Sequence, residues 1–349
     1  MSIGQQIVQL RGRGLIVDDL GSAEQLLEEV GYYRLTGYLH PARRSERFVK
    51  DDGRAGVRVL STYQPGTRIE HAHALIAFDR KLRLHVLEAV ERIEVSLRTQ
   101  VGYIVGERSA FAHLESRNFT PNFLEAFIDE ETGKTTSKHA EWIARVDERR
   151  ASSKEAFVAH FRDKYDDQMP IWALTEILEI GHLASLYRGL QNDVATRIAH
   201  HYAVPNKKTL ISWIASTNYV RNVAAHQARL FNRKLVDAPT RPRGASVPLL
   251  AHLRDESSPK QDFGLYNALA VMAYLLRSIS GHAQWTARLR EIVDGFPDIP
   301  FLGIESMGFS DDWSKHDLWT SGSSNGAAIT QAPAHDAARG TGREPGLGR

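Results

Sequence analysis

From Ala72 to Val105 apolar residues return at helical spacing, among them Leu75, Phe78, Leu82, Val86, Val90, Ile93, Leu97 and Val101, with neither glycine nor proline until Gly102. The run predicts one long helix, the longest in the chain, and the segments around it read as helices too. Ser22 to Val30 form a short one with Ser22 as N-cap and Gly31 as stop. Helices are expected near Ser137 to Glu148 and Ser153 to Tyr165, then from Pro170 through Ile180, and in HLASLYR between Gly181 and Gly189. Lys207 to Ser216 and Thr217 to Arg233 follow, and Phe263 to Ile279 with Ala283 to Val293 complete the set. Strand signals are confined to VRVLSTY, in the Gly- and Pro-punctuated stretch Gly53 to Thr67, where a small β-hairpin insert fits. The fold class that results is all-α, a multi-helix bundle.

The 349 residues are 42% hydrophobic and 25% charged, which excludes disorder as a description of the whole chain. Forty-four Lys and Arg oppose 42 Asp and Glu for a formal charge of +2, so any surface suited to nucleic acid has to be local. The absence of cysteine excludes disulfides and thiolate metal sites. The opening MSIGQQIVQLRGRGLIVDD lacks the apolar core of a signal peptide. No stretch approaches the roughly 18 apolar residues that span a bilayer. A soluble, cytoplasmic protein without a membrane partner is expected. Residues 1–319 read as one helical domain, and Thr320 to Arg349, almost free of large apolar side chains, as a disordered tail.

An arginine followed five positions later by a histidine occurs five times: Arg68/His73, Arg80/His85, Arg108/His113, Arg221/His226 and Arg277/His282. The spacing alone therefore selects nothing. The fourth pair stands in NYVRNVAAHQARLFNRK, where Asn222, His226, Arg229 and Arg233 follow at intervals of four, three and four. On a helix spanning about 217–233 they would line one face, with Arg221 at its edge and Val220, Val223, Leu230 and Phe231 on the buried side. Such a stripe suits an anionic polymer. RNA cleavage by 2′-OH attack needs a proton acceptor, a proton donor and cationic stabilisation of the phosphorane, and no metal. A histidine can move the protons and a guanidinium can fork onto phosphate, while an Asn amide can orient either. A solvated polar face is the competing reading of the same residues.

The run RNVAAHQARLFNR resembles the signature of the HEPN superfamily, an Arg, four to six residues and a His, often with Asn directly after the Arg. The wider pattern resembles the bacterial abortive-infection D/F-type (Abi-like) family. It is echoed in order by GLIVDDLGSAEQLLEEVGYYRLTGYLHPAR, FDRKLRLHVLEAVERIEVSLRTQV, PIWALTEILEIGHLASLYRGL, the motif helix and MGFSDDWSKHDLW. The resemblance implies a HEPN-type helical bundle and a metal-independent endoribonuclease of phage defence. Arg221, Asn222 and His226 would be its catalytic residues, and Arg229 and Arg233 its guides for the RNA backbone. It implies no cofactor, a homodimer with half a site per subunit, and a noncoding RNA as a natural regulator. Gln227 stands where family members commonly carry a second histidine. A noncatalytic protein that holds a noncoding RNA, or a toxin restrained by a partner, are the rival expectations.

Other features read more simply. Glu91, Glu94 and Arg98 on the long helix suit i,i+3 and i,i+4 ion pairing. GYYRLTGY reads as an aromatic corner, with stacking on bases or phosphate binding through Arg34 as its alternative. His71, His73, His200 and His201 follow no recognised metal spacing. Trp313 and Trp319 are expected to close the core.

Overall fold

The computed structural model describes residues 1–243, 245–254 and 264–320; the expected tail, from residue 321 on, lies outside the described residues. The order of elements is α1 (Ile3–Gly12), α2 (Leu20–Val30), α3 (Tyr32–Tyr38), a hairpin of β1 (Arg43–Val49) and β2 (Ala55–Tyr63), and α4 (Ile69–Gly106). There follow α5 (Pro121–Leu124), a second small hairpin of β3 (Ala126–Ile128) and β4 (Thr135–Ser137), α6 (Lys138–Ser152), α7 (Ala156–Lys164) and α8 (Ile171–Leu174). The chain continues through α9 (Ile180–Gly189), α10 (Asn192–His201), α11 (Lys207–Ala225), α12 (Leu265–Leu276), α13 (His282–Asp294) and α14 (Asp317–Thr320). The all-α class is as expected, with two antiparallel strand pairs as its only sheets among the described residues.

The long apolar run forms α4, 38 residues and about 57 Å at 1.5 Å per residue. Helices α3, α8, α9, α10, α11, α12 and α13 all pack on it. A large core surrounds most of α4, while a smaller cluster made by α1, α2 and α3 closes on its first turn, so that Ala72 belongs to one and Leu75 to the other. Every residue of α12 is buried, as a helix apolar on all sides but for Asn267 requires. No helix among the described residues is long and apolar enough to cross a membrane.

Local chemistry sets the ends of these elements. Helix α2 starts two residues before the expected Ser22, because Asp19 is the N-cap and accepts from the backbone of Gly21 and Ser22. Gly31 ends it at φ +81°, a conformation few other residues adopt. The hairpin insert forms with the register Ser45↔Val59 to Val49↔Ala55. The run expected from Pro170 through Ile180 breaks instead, leaving α8, a turn of 3-10 helix and an extended Leu178 before α9. Trp319 donates to the Tyr266 hydroxyl at 3.0 Å and meets Trp313 edge to face, closing the core as expected.

His85 illustrates how histidine serves as packing here. Its ring stacks on Trp285 at 4.6 Å, its Nε2 lies 3.0 Å from the Trp285 carbonyl, and the Trp285 indole donates back to the His85 carbonyl. Burial lowers the pKa of His85, His113, His252 and His282 to about 4. These folded values lie below the unfolded value near 6.5. The unfolded chain therefore binds more protons between about pH 6.5 and pH 4, and acid in that window costs stability. The urea midpoint should accordingly be lower at pH 5 than at pH 7, and the drop smaller in His85→Gln. Equal midpoints at the two pH values would contradict the buried neutral histidines.

Candidate functional site

Helix α11 begins with the Asn206 side chain accepting from the Thr209 backbone at 2.9 Å. Leu210, Trp213, Ile214, Thr217, Val220, Val223 and Ala224 form its buried side, against α4, α9 and α12. Asn218, Arg221 and Asn222 lie on the less buried side. The helix ends at Ala225, eight residues before the expected end, with His226 as C-cap. Gln227 follows at φ +56°, its N–H donates to Ala224 O, and the Ala228 N–H donates to Val223 O at 3.0 Å. This pairing of 6→1 and 5→2 bonds is a Schellman termination, with glutamine in the left-handed position that usually takes glycine.

The continuous stripe of Asn222, His226, Arg229 and Arg233 therefore does not form. Arg229 is turned inward and donates to the Gly37 carbonyl, and Arg233 Nε donates to the Arg229 carbonyl at 2.7 Å. Burial is the first cause of Arg229's lowered pKa, and neighbouring Arg233 adds to it. Both side chains hold backbone rather than facing outward beside His226.

Two groups distant in sequence impose this geometry. Arg34, from the GYYRLTGY segment, donates to the Gln227 carbonyl at 2.8 Å and lies over the Tyr38 ring. Asp79, fully buried on α4, accepts from Phe231 N at 2.6 Å and Leu230 N at 3.2 Å, and also from the Tyr38 hydroxyl and Arg83. The aromatic corner expected of GYYRLTGY is present in Tyr38, but Tyr33 is exposed and Arg34 reaches the motif.

Arg221, Asn222 and His226 remain together on the last turn and cap of α11, and Asn222 and His226 are exposed. Arg221 donates to Asn222 Oδ1 at 3.2 Å and pairs with Glu179 at 3.7 Å, its side chain 30% exposed. An ion pair that long and that accessible is weak. Its guanidinium can be drawn to a phosphate without a large loss. Glu179 is presented at the start of α9 because Glu94 on α4 accepts from the Ile180 N–H at 3.1 Å, and Arg98 pairs with Glu94 and donates to the Leu178 carbonyl. The ion pairing expected of Glu94 and Arg98 is thus present, and it also fixes an edge of the site.

The five Arg/His pairs separate by burial. His85 and His113 are buried and His282 is partly so, all three with pKa values lowered by burial, whereas His73 and His226 are exposed. Of these two, His73 follows an arginine already committed to Asp18, whereas Arg221, five residues before His226, makes only the contacts to Asn222 and Glu179. Among the described residues no group of three or more His, Asp or Glu side chains could hold a metal ion.

Glu179, Asp79 and Arg34 were not among the expected site residues. Asp79 carried a signal: it falls in line with Leu75, Leu82 and Val86, and an acid on the apolar stripe of a helix must be partnered. Glu179 carried none, and Arg34 was expected only as a phosphate-binding alternative to the aromatic corner, since the partners of both lie far off in sequence. Removing the Asp79 carboxylate strands a buried Arg83 and frees the loop after the motif, so Asp79→Ala should lose about 3–5 kcal/mol of stability in urea unfolding. Gln227→Gly should gain about 1 kcal/mol by relieving the left-handed residue. A destabilised Gln227→Gly would contradict the termination described.

The family model for Abi-like protein matches residues 25–232, from α2 to just past the motif. No curated protein and no solved structure matches the chain. The matched span covers more than half of the sequence and contains α4, α9 and α11, which build the site. The chain belongs to the Abi-like protein family.

Proposed function

We propose that the protein is a metal-independent endoribonuclease of the HEPN type, acting in abortive infection, the phage-defence role that membership of the Abi-like family suggests. The observation that carries the reading is the exposed imidazole of His226 at the end of α11, beside an arginine and an asparagine committed only to weak contacts. The 2′-oxygen of a ribose attacks the adjacent phosphorus as its proton passes to an imidazole, the bond to the 5′-oxygen breaks, and that oxygen takes a proton from an imidazolium. The guanidinium of Arg221 answers the negative charge that grows on the phosphorane oxygens. Asn222 supplies an amide that can hold either the guanidinium or a phosphate oxygen. The products are a 2′,3′-cyclic phosphate and a 5′-hydroxyl.

The chemistry calls for one group to accept a proton and another to donate one, and α11 offers a single exposed imidazole. A symmetric homodimer, with Arg221 and His226 of two copies facing across the axis, would supply both. The guiding role expected of Arg229 and Arg233 is not carried forward, since both side chains are committed to backbone carbonyls.

The direct test incubates RNA with the wild-type protein and with His226→Ala in excess EDTA. Cleavage by the wild type and a loss of at least a hundredfold in the variant are expected, in line with removal of a general acid–base group. Equal cleavage by both proteins, or none by a folded dimer, would sink the proposal. Toxicity in cells that survives His226→Ala would favour the noncatalytic RNA-holding protein instead.

A further inference from the structure

Beside the motif, α6, α9 and α11 wall a cleft of about 450 Å³. Each helix contributes one face at helical spacing: Lys138, Glu141 and Arg145 from α6; Gly181, Ala184, Ser185 and Arg188 from α9; Ala215 and Asn218 from α11. The small residues Gly181, Ala184 and Ala215 leave the space. Polar side chains ring it. The face of α11 that begins with Ala215 and Asn218 continues, one turn on, to Arg221 and Asn222. On α9, Gly181 lies two residues after Glu179, the partner of Arg221. The cleft therefore lies next to the site, one helical turn from Arg221 and Asn222.

Its cations are uncommitted to carboxylates. Lys138 donates to Asn122 Oδ1 at 2.9 Å and Arg145 to Ser185 Oγ at 3.3 Å, and Arg188 is exposed. Among the described residues none of the three forms an ion pair, although Glu141 and Asp237 also line the cleft. Three unpaired cations with amide and hydroxyl donors suit phosphodiester oxygens. The carboxylates are acceptors for the exocyclic amino group of a base. The volume is that of a small-ligand pocket, sized for a nucleotide of a single strand rather than a duplex.

We propose that this cleft is an RNA-binding subsite, holding the stretch of single strand that continues from the phosphate at Arg221 and His226. Arg145 and Arg188 grip its backbone and Asn218 lies at the junction with the site. The subsite rests on the ribonuclease reading, and the two can fail separately.

The test measures fluorescence anisotropy of a short labelled oligocytidylate, 2′-O-methylated so that it cannot be cleaved, on the full-length protein. Arg145→Glu/Arg188→Glu should weaken binding at least tenfold, while Arg145→Lys/Arg188→Lys stays within about threefold of wild type. Truncating the two arginines to alanine should lower the slope of log affinity against log salt by roughly 1.4, at about 0.7 per phosphate contact on a single strand. With cleavable RNA, the charge-reversed protein should show a raised KM. A thermal midpoint matching wild type shows that it is folded. A wild type that does not bind, a charge reversal that changes affinity less than twofold, or displacement by polyglutamate as effective as by RNA would overturn the subsite, the last in favour of an acidic protein segment. Loss of binding on charge reversal together with undiminished cleavage by His226→Ala would retain the subsite and reject the ribonuclease reading. Normal binding by the charge-reversed protein with no cleavage by His226→Ala would do the opposite.

Discussion

A single buried carboxylate organises the end of α11 and the loop that follows it. Asp79 sits on α4 with no exposed surface, and an isolated charge there would be prohibitively costly. Four donors offset that cost: the guanidinium of Arg83 one turn along, the hydroxyl of Tyr38 from α3, and the backbone N–H groups of Leu230 and Phe231. Burial first, and then the charge of Asp79, raise the Tyr38 pKa to about 12, so the phenol stays a donor throughout the working pH range. The carboxylate thereby ties the N-terminal helices, the central helix and the loop after the motif into one network. Arg34 extends the tie by holding the Gln227 carbonyl. The end of α11 is consequently set from both sides, by its own Schellman bonds and by groups roughly 150 to 190 residues away in sequence.

That arrangement separates His226 from the other histidines that share its spacing to an arginine. His85 and His113 are absorbed into aromatic packing, on Trp285 and Trp142, and burial lowers the pKa of both and of His282. His226 caps a helix at the surface because the chain turns away at Gln227 and sends Leu230 and Phe231, not the histidine, into the core. Phe231 packs edge to face on Phe78 and against Phe296, so the apolar anchor lies next to the polar one at Asp79. Strain at Gln227 is the local cost of presenting the histidine.

Much of the fold was legible because long helices advertise themselves. The apolar period of α4, the Gly31 stop and the hairpin at VRVLSTY depend on neighbours in sequence, and all formed; the closing tryptophans, whose partner Tyr266 is distant, were legible from their large apolar surface. The end of α11 was not legible. HQARLFNR has no glycine or proline to stop a helix, and its arginines continue the polar spacing, so local rules extend the helix to Arg233. The stop comes from Asp79 and Arg34, tertiary partners that no window of sequence contains. The same reason hid Glu179, whose position depends on Glu94 and Arg98 gripping the start of α9. Arg221, Asn222 and His226 could be singled out early because they lie within six residues of one helix end. Their relation to the cleft between α6, α9 and α11 could not, since it needs three helices to be packed first.

Membership of the Abi-like family places the chain among proteins associated with abortive infection, and the exposed cluster at the end of α11 is where the proposed chemistry would act. Attack by a neighbouring 2′-oxygen leaves a signature that a water-driven or metal-driven cut does not. The most direct measurement is end-group analysis of RNA fragments released by the purified protein in EDTA. Fragments ending in 2′,3′-cyclic phosphate and beginning with 5′-hydroxyl, absent when His226 is replaced by alanine, are the expected result. Fragments with 3′-hydroxyl and 5′-phosphate ends, or cyclic-phosphate ends still produced without His226, would contradict it.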